Sequence, residues 1–198
     1  LADGGSYVIN AQVSNTIGNS ASDNHTVTVD LTAPSMGIAI DSLQNDTGLS
    51  ATDFITNDSQ VVVNGSLTAQ LGNNEKAQIS LDGGVTWIDV SVSGLSWTYV
   101  DGRTLADGDY NYQLRVIDDA GNISATASQV VTIDTVAPDA SKTIAIDSIS
   151  DDTGLSSSDF ITRDTSLTLH GSLGATLADG EYAQISIDGG VKIGRAHV

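Results

Sequence analysis

Short runs of alternating apolar and polar residues dominate the chain. Tyr110, Tyr112, Leu114 and Val116 alternate with Asn111, Gln113 and Arg115, and Ala77, Ile79 and Leu81 alternate with Lys76, Gln78 and Ser80. Val61 and Val63 continue through Gly65 to Leu67. A period of two sends successive side chains to opposite faces, which is the signature of a half-buried strand. No stretch of ten or more residues keeps a helical period. The pattern predicts seven strands, at about 36–41, 60–67, 75–81, 85–92, 96–100, 109–117 and 125–134. Asp82–Gly84 reads as a tight hairpin turn, and Asp118–Asn122 as another turn, with a glycine suited to positive φ. Trp87, Trp97 and Tyr99 are the expected large core anchors.

The same pattern recurs along the chain. "IAIDSLQNDTGLSATDFITND" from Ile38 returns from Ile144 as "IAIDSISDDTGLSSSDFITRD", an interval of 106 residues that holds through "AQISLDGG" and "AQISIDGG". "LADG" at Leu1 returns at Leu105, and Tyr7 matches Tyr110. The two prolines, Pro34 and Pro138, end matching runs and lie 104 residues apart. Proline fixes φ and removes a backbone donor, so it suits a joint between modules. Residues 1–33 are then the C-terminal part of one repeat, 34–137 a complete repeat, and 138–191 the N-terminal part of another. The closing "KIGRAHV", residues 192–198, breaks the pattern. Its codons can be read as AAG ATC GGA AGA GCA CAC GTC, most of a common sequencing-adapter read, so it is taken as a non-native tail without function. The expected fold is all-β: tandem seven-stranded immunoglobulin-like β-sandwiches arranged end to end. With an odd number of up-and-down strands the chain enters at one end and leaves at the other, giving roughly 35–45 Å per repeat.

Composition narrows the functions. Cysteine is absent, so no disulfide staples these small sandwiches and no thiolate binds metal. The formal charge of −18 argues against a nucleic-acid partner. No apolar run is long enough to insert into a membrane. Of the 25 acidic residues only Glu75 and Glu181 are Glu. Aspartate favours turns and also holds its oxygens close to the backbone, as hard-cation loops require.

Strand order gathers many of these aspartates near the joints. Asp41, Asp46, Asp53 and Asp58 lie in the first loop, and Asp147, Asp152, Asp159 and Asp164 repeat them. Asp118, Asp119 and Asn122 form a turn at the opposite end, facing Asp30 on the incoming linker, and Asp134 lies on the outgoing one. Two readings stand for this set: structural Ca²⁺ at the joints, or turn and helix capping alone. "DAGN" is also a plain hairpin turn. The spacing is not that of an EF-hand.

His25 and His170 fall at non-equivalent repeat positions and read as exposed strand residues. Nucleophile elbow, phosphate loop and metalloprotease helix are all missing from the sequence, so catalysis is not expected. Asn24, Asn45, Asn57, Asn64 and Asn122 begin N-x-Ser/Thr sequons, which matter only in a eukaryotic setting.

The ordered set "DDTG", "SSDFITRD", "ISIDGG", "TLADGDY", "DDAGN" and "DTVAP" resembles the repeated immunoglobulin-like modules of giant, type I-secreted, biofilm-associated bacterial surface adhesins. The resemblance covers residues 1–191. It implies an extracellular spacer module at the bacterial cell surface, with neighbouring repeats of the same chain as partners and Ca²⁺ at the joints. It leaves the adhesion target open. Two other readings remain: a glycan- or protein-binding module, or an accessory domain of a secreted carbohydrate-active enzyme.

Overall fold

The computed structural model describes residues 1–124, 126–190 and 193–195. Of the tail at 192–198, only 193–195 fall within it. The chain divides into two compact units, Leu1–Thr135 and Val136–Val198.

The first unit opens with a hairpin, β1 (Ser6–Ser14) and β2 (Ser20–Thr28), paired in an unbroken antiparallel register from Ser6↔Thr28 to Ser14↔Ser20. A complete sandwich follows. Its first sheet holds β3 (Ile38–Leu43), β5 (Val62–Leu67), β9 (Ser96–Val100) and β8 (Ser91–Ser93), in the order β3-β5-β9-β8. Its second sheet holds β4 (Ile55–Thr56), β6 (Glu75–Ser80), β7 (Ile88–Asp89), β10 (Gly108–Asp118) and β11 (Ala127–Ile133), in the order β4-β11-β10-β6-β7. This is the two-sheet plan of an immunoglobulin-type sandwich.

Two details of the strand layout differ from the sequence expectation. The strand predicted at 85–92 is two short strands, β7 and β8, in different sheets. The chain crosses at Val90, which is buried and donates its N–H to Ala77. The second difference is β4, which pairs parallel with β11 through Ile55 and Thr56. Two residues are too few for an alternation to register in sequence. The first strand thus switches sheets between β3 and β4, and residues 44–54 span that switch.

The core forms where the inner faces meet. Ile38, Leu43, Val63, Leu67 and Trp97 pack against Ala77, Ile79, Tyr112, Leu114, Val116, Val131 and Ile133. The alternation read along 110–116 holds, with Tyr112, Leu114 and Val116 buried. Gly65 pairs with Trp97, and a Cβ there would lie 2.1 Å from the Ala39 carbonyl and 2.4 Å from the indole. Only glycine lets the tryptophan lie flat against the strand. Trp87 is not a core anchor. It is half-buried on the second sheet's outer face, under the Arg115 guanidinium at 4.1 Å, and donates its indole N–H to the Gly84 carbonyl. Ser80, expected to face outward, is buried at a strand end, where its hydroxyl donates to Asp82 and accepts from the Gly84 amide.

In the second unit, β12 (Ile144–Ile149) pairs with β13 (Leu169–Leu173), and β14 (Gln184–Ser186) pairs with β15 (Ile193–Arg195). β12–β13 repeats the β3–β5 register 106 residues on, including the slip between Ile146 and Ser148 that matches the one between Ile40 and Ser42. Asp41 and Asp147 are the extra residues at these two slips, and both are exposed.

Candidate functional site

Hydrogen bonds assemble the downstream end of the complete repeat. Thr132 and Asp134 donate their amides to Phe54 and Thr56, Leu105 donates to Ser59, and Asp101 donates to Val61. The β3–β4 loop, the β9–β10 loop and the outgoing linker therefore share one end. The β10–β11 turn lies at the other.

Within the β3–β4 loop the aspartates hold local backbone. Asp46 accepts the Phe54 amide at 3.1 Å, Asp53 the Ile55 amide at 3.2 Å, and Asp58 the Gln60 amide at 2.9 Å and the Asn45 side-chain amide at 2.7 Å. Thr47 and Thr56 share a hydroxyl contact of 3.1 Å, and Thr56 donates to the Asn45 carbonyl. The second unit repeats the set. Asp152 accepts from Phe160, Asp159 from Ile161, and Asp164 from Ser166. Phe54 and Phe160 both take positive φ, 63° and 58°. For a bulky side chain this stores about 1–3 kcal/mol, so the loop must be over-determined by its contacts. In both copies the other carboxylate oxygen, Oδ1 of Asp46 and of Asp152, is buried with no hydrogen-bond partner. A concave surface lined by Leu43, Asn45, Asp46, Ala51, Asn57 and Asp58 lies over this loop.

The turn at the upstream end is different. Asp118 accepts from the Ala120 amide, the Asn122 amide and the Asn122 side chain at 2.8–2.9 Å. These bonds, the Asn122 side chain first, hold its carboxyl below the usual carboxylate range. In the equivalent turn of β1–β2, neutral Asn15 caps the Ile17 and Asn19 amides in the same way. The carboxylate charge is therefore not required for this turn. Asn122 also reaches the incoming linker, donating to the Asp30 carbonyl at 3.1 Å, while the Asp30 carboxylate caps Thr32. Asp119 and Asp134 are exposed. Among the described residues, no three His, Cys, Asp or Glu side chains converge as a metal-ligand set.

Sequence reasoning missed two constellations. The first is a linker latch. Asp107 accepts both the amide and the hydroxyl of Thr135, at 3.0 and 2.7 Å. Asp3, its equivalent one repeat earlier, accepts the Leu31 amide and the Thr32 hydroxyl, each at 2.7 Å. Both carboxyls are held below the usual range, Asp3 chiefly by the Leu31 amide and Asp107 chiefly by the Thr135 hydroxyl. The recurring "LADG" was the available signal. The second is a buried triad. Asp101, 3% exposed, takes Arg103 in a fork, with Nη2 at 2.6 Å and Nε at 2.9 Å, and the Tyr112 hydroxyl at 2.7 Å. Burial opposes ionisation of Asp101, but these donors outweigh it and lower its pKa. Burial, then the Asp101 hydrogen bond, keeps the Tyr112 phenol protonated. Nearby Tyr110, close to the start of β10, donates to the Ala106 carbonyl at 2.9 Å, the geometry of a tyrosine corner.

Residues 32–135 match the model of the bacterial Ig-like domain. The chain belongs to the bacterial Ig-like domain family. Two solved structures are similar to this Ig-like chain. One comes from work on host cell surface retention of a 1.5-MDa bacterial ice-binding adhesin, with 19% identity, a TM-score of 0.35, and 76% of this chain and 47% of that one covered. The other is a tetra-tandem repeat in the extending region of a large adhesion protein, with 22% identity, a TM-score of 0.32, and coverage of 75% and 35%. The Ig-like chain spans less than half the length of either. No curated protein matches it.

Proposed function

We propose that this segment is a spacer of a bacterial cell-surface adhesin, in which Ig-like modules run in series and hold a binding domain away from the cell. The observation that carries this reading is the repeated path of the chain. The complete repeat is entered at one end and left at the other, and Asp3 and Asp107 each accept one amide and one hydroxyl from the linker that follows their hairpin. A spacer needs that geometry and no ligand pocket of its own. The supporting experiment removes complete repeats from the parent protein. Cell attachment and biofilm formation should fall with reach, while the isolated binding domain keeps its affinity. Direct binding of isolated repeats to the adhesion target would overturn the reading.

Calcium belongs to the same proposal. The unpartnered Asp46 Oδ1 and Asp152 Oδ1 fit a hard cation, with Asp58 and the Asn57 side chain near the first of them. The β10–β11 turn fits less well, because its Asp118 carboxylate already accepts three N–H donors. Ca²⁺ would screen the loop carboxylates and fix the β3–β4 switch. At millimolar Ca²⁺ and Kd of 10⁻⁴–10⁻³ M, each site adds about 0.4–1.4 kcal/mol. Two complete repeats should melt a few degrees higher in Ca²⁺ than in chelator at matched ionic strength, and Asp46→Asn should shrink the difference. Equal melting in both would remove calcium and leave the spacer reading standing.

A further inference from the structure

Tension along the chain would reach the complete repeat through its first and last strands. The chain enters β3 from the upstream end and leaves β11 at the downstream end, so a pull on both sides draws β3 and β11 lengthwise in opposite directions. Ladder hydrogen bonds lie across the strands. A lengthwise pull therefore loads all bonds of a pair together, whereas a pull that parts two strands from one end breaks them in turn. β3 is held to β5 from Ile38↔Leu67 to Leu43↔Val63, and β11 to β10 from Gly108↔Ile133 to Leu114↔Ala127.

β4 connects the two loaded strands. It pairs parallel with β11, the Thr132 amide donating to the Phe54 carbonyl at 2.9 Å and the Asp134 amide to the Thr56 carbonyl at 3.0 Å. Load enters β4 from its N-terminal side and β11 from its C-terminal side, so this pair too is loaded lengthwise. A slack loop between β3 and β4 would lengthen before β4 felt the pull. Residues 44–54 are instead closed by bonds of their own. The Thr56 hydroxyl, on a residue 2% exposed, donates to the Asn45 carbonyl at 2.8 Å, accepts the Asp58 amide at 3.0 Å and meets the Thr47 hydroxyl at 3.1 Å. Thr47 in turn accepts the Asn57 amide at 2.8 Å. The end of β3 is thereby tied to β4. The second unit repeats the ties: Thr162 donates to the Asp151 carbonyl and meets Thr153 at 3.1 Å.

We propose that the β3–β4 loop is a buckle that makes β3 and β4 carry tension together, so that the complete repeat resists being drawn out along the chain. The inference deepens the spacer reading, because a module is under tension only as a link held at both ends. It does not depend on calcium, since the ties are hydroxyl and amide bonds within the chain.

The full chain, tethered by its two ends in an optical trap and held in chelator at constant force, tests it. The complete repeat is recognised by its step, since roughly 100 residues at about 3.3–3.6 Å each release roughly 350 Å. Thr56→Val keeps the side-chain shape and removes the hydroxyl, and should make that step at least about tenfold faster. Ser124→Ala removes another buried hydroxyl, which accepts the Val116 amide near the β10–β11 turn, away from β3 and β4, and should change the rate far less. A second pulling axis leaves the loop unsubstituted. The chain has no cysteine of its own, so Ala106→Cys, at an exposed position, offers a single attachment point. Pulling between Ala106→Cys and the C-terminal end parts β10 from β11 starting at Gly108↔Ile133, pair by pair. The repeat should then open at least about tenfold faster than through its ends at the same force. Equal rates along the two axes, or equal acceleration by Thr56→Val and Ser124→Ala, would each overturn the proposal. Either result would leave the loss of reach on deleting repeats unaffected, so the buckle can fail while the spacer reading stands.

Discussion

Asp101→Asn isolates the triad of Asp101, Arg103 and Tyr112 at the downstream end of the sandwich. The side chain is 0% exposed and accepts from Arg103 Nη2, Nε and backbone N–H, and from the Tyr112 hydroxyl. Either orientation of an asparagine amide turns an NH₂ group toward two of these donors, so about two hydrogen bonds are lost around a side chain that is itself closed to water, although Arg103 is 43% exposed. Breaking one side of a fully buried pair costs about 3–5 kcal/mol; with Arg103 able to turn to solvent the loss should be about 2–3 kcal/mol, still a large part of an ordinary stability of about 5–15 kcal/mol. Tyr112→Phe removes one donor and keeps the ring packing, so it should cost about 1–2 kcal/mol. Urea denaturation followed by tryptophan fluorescence reads both, since Trp97 lies in the same core at 1% exposure. The pH dependence has a defined sign. Asp101 is depressed when folded, so its contribution is fully present above its ordinary value of 3.8 and is lost as pH falls through the folded value. Asp101→Asn should therefore flatten the acid limb of the stability curve. A loss below about 0.5 kcal/mol, or a larger loss from Tyr112→Phe than from Asp101→Asn, would refute the reasoning.

Three further outcomes are expected. Gly65→Ala drives a Cβ into the Ala39 carbonyl and the Trp97 ring and should cost about 2–3 kcal/mol, read as a lower urea midpoint; an unchanged midpoint would show that the strand can shift at no cost. Asp107→Ala should speed hydrogen exchange at the Thr135 amide about tenfold while Asp82→Ala leaves it unchanged, and equal effects would dissolve the latch. Asp82 should titrate at about 2, held there first by the Thr86 hydroxyl and then by the Thr86 amide and the Ser80 hydroxyl. Its contribution to stability is accordingly present above 3.8 and lost as pH falls toward 2, and Thr86→Val should raise its midpoint; carboxyl chemical shifts measured against pH check this.

The sandwich was legible because its core strands alternate and because the repeat marks equivalent positions. Tyr112, Leu114 and Val116 could be assigned inward from the period alone. β4 and the β7–β8 crossing could not, since two or three residues carry no period and a sheet switch is set by long-range pairing through Val90 and Ile55. The aspartates were found by composition, but their roles were not. That Asp46 keeps one carboxylate oxygen without a hydrogen bond while Asp118 faces three N–H groups depends on backbone geometry that spacing does not encode. Asn15 stands in the place of Asp118 one repeat earlier, a signal for a plain turn that the sequence reading did not use. The triad was hidden because Asp101, Arg103 and Tyr112 read as two exposed loop residues and one core aromatic until folding closes the β9–β10 loop over Tyr112.

On the spacer reading, the modules add in series. Small-angle scattering from polypeptides of one, two, three and four complete repeats in millimolar Ca²⁺ tests it most directly. The maximum dimension should rise linearly, by roughly 35–45 Å per repeat. Growth that levels off toward the cube root of repeat number would mean that the modules fold back on one another, and would contradict the account.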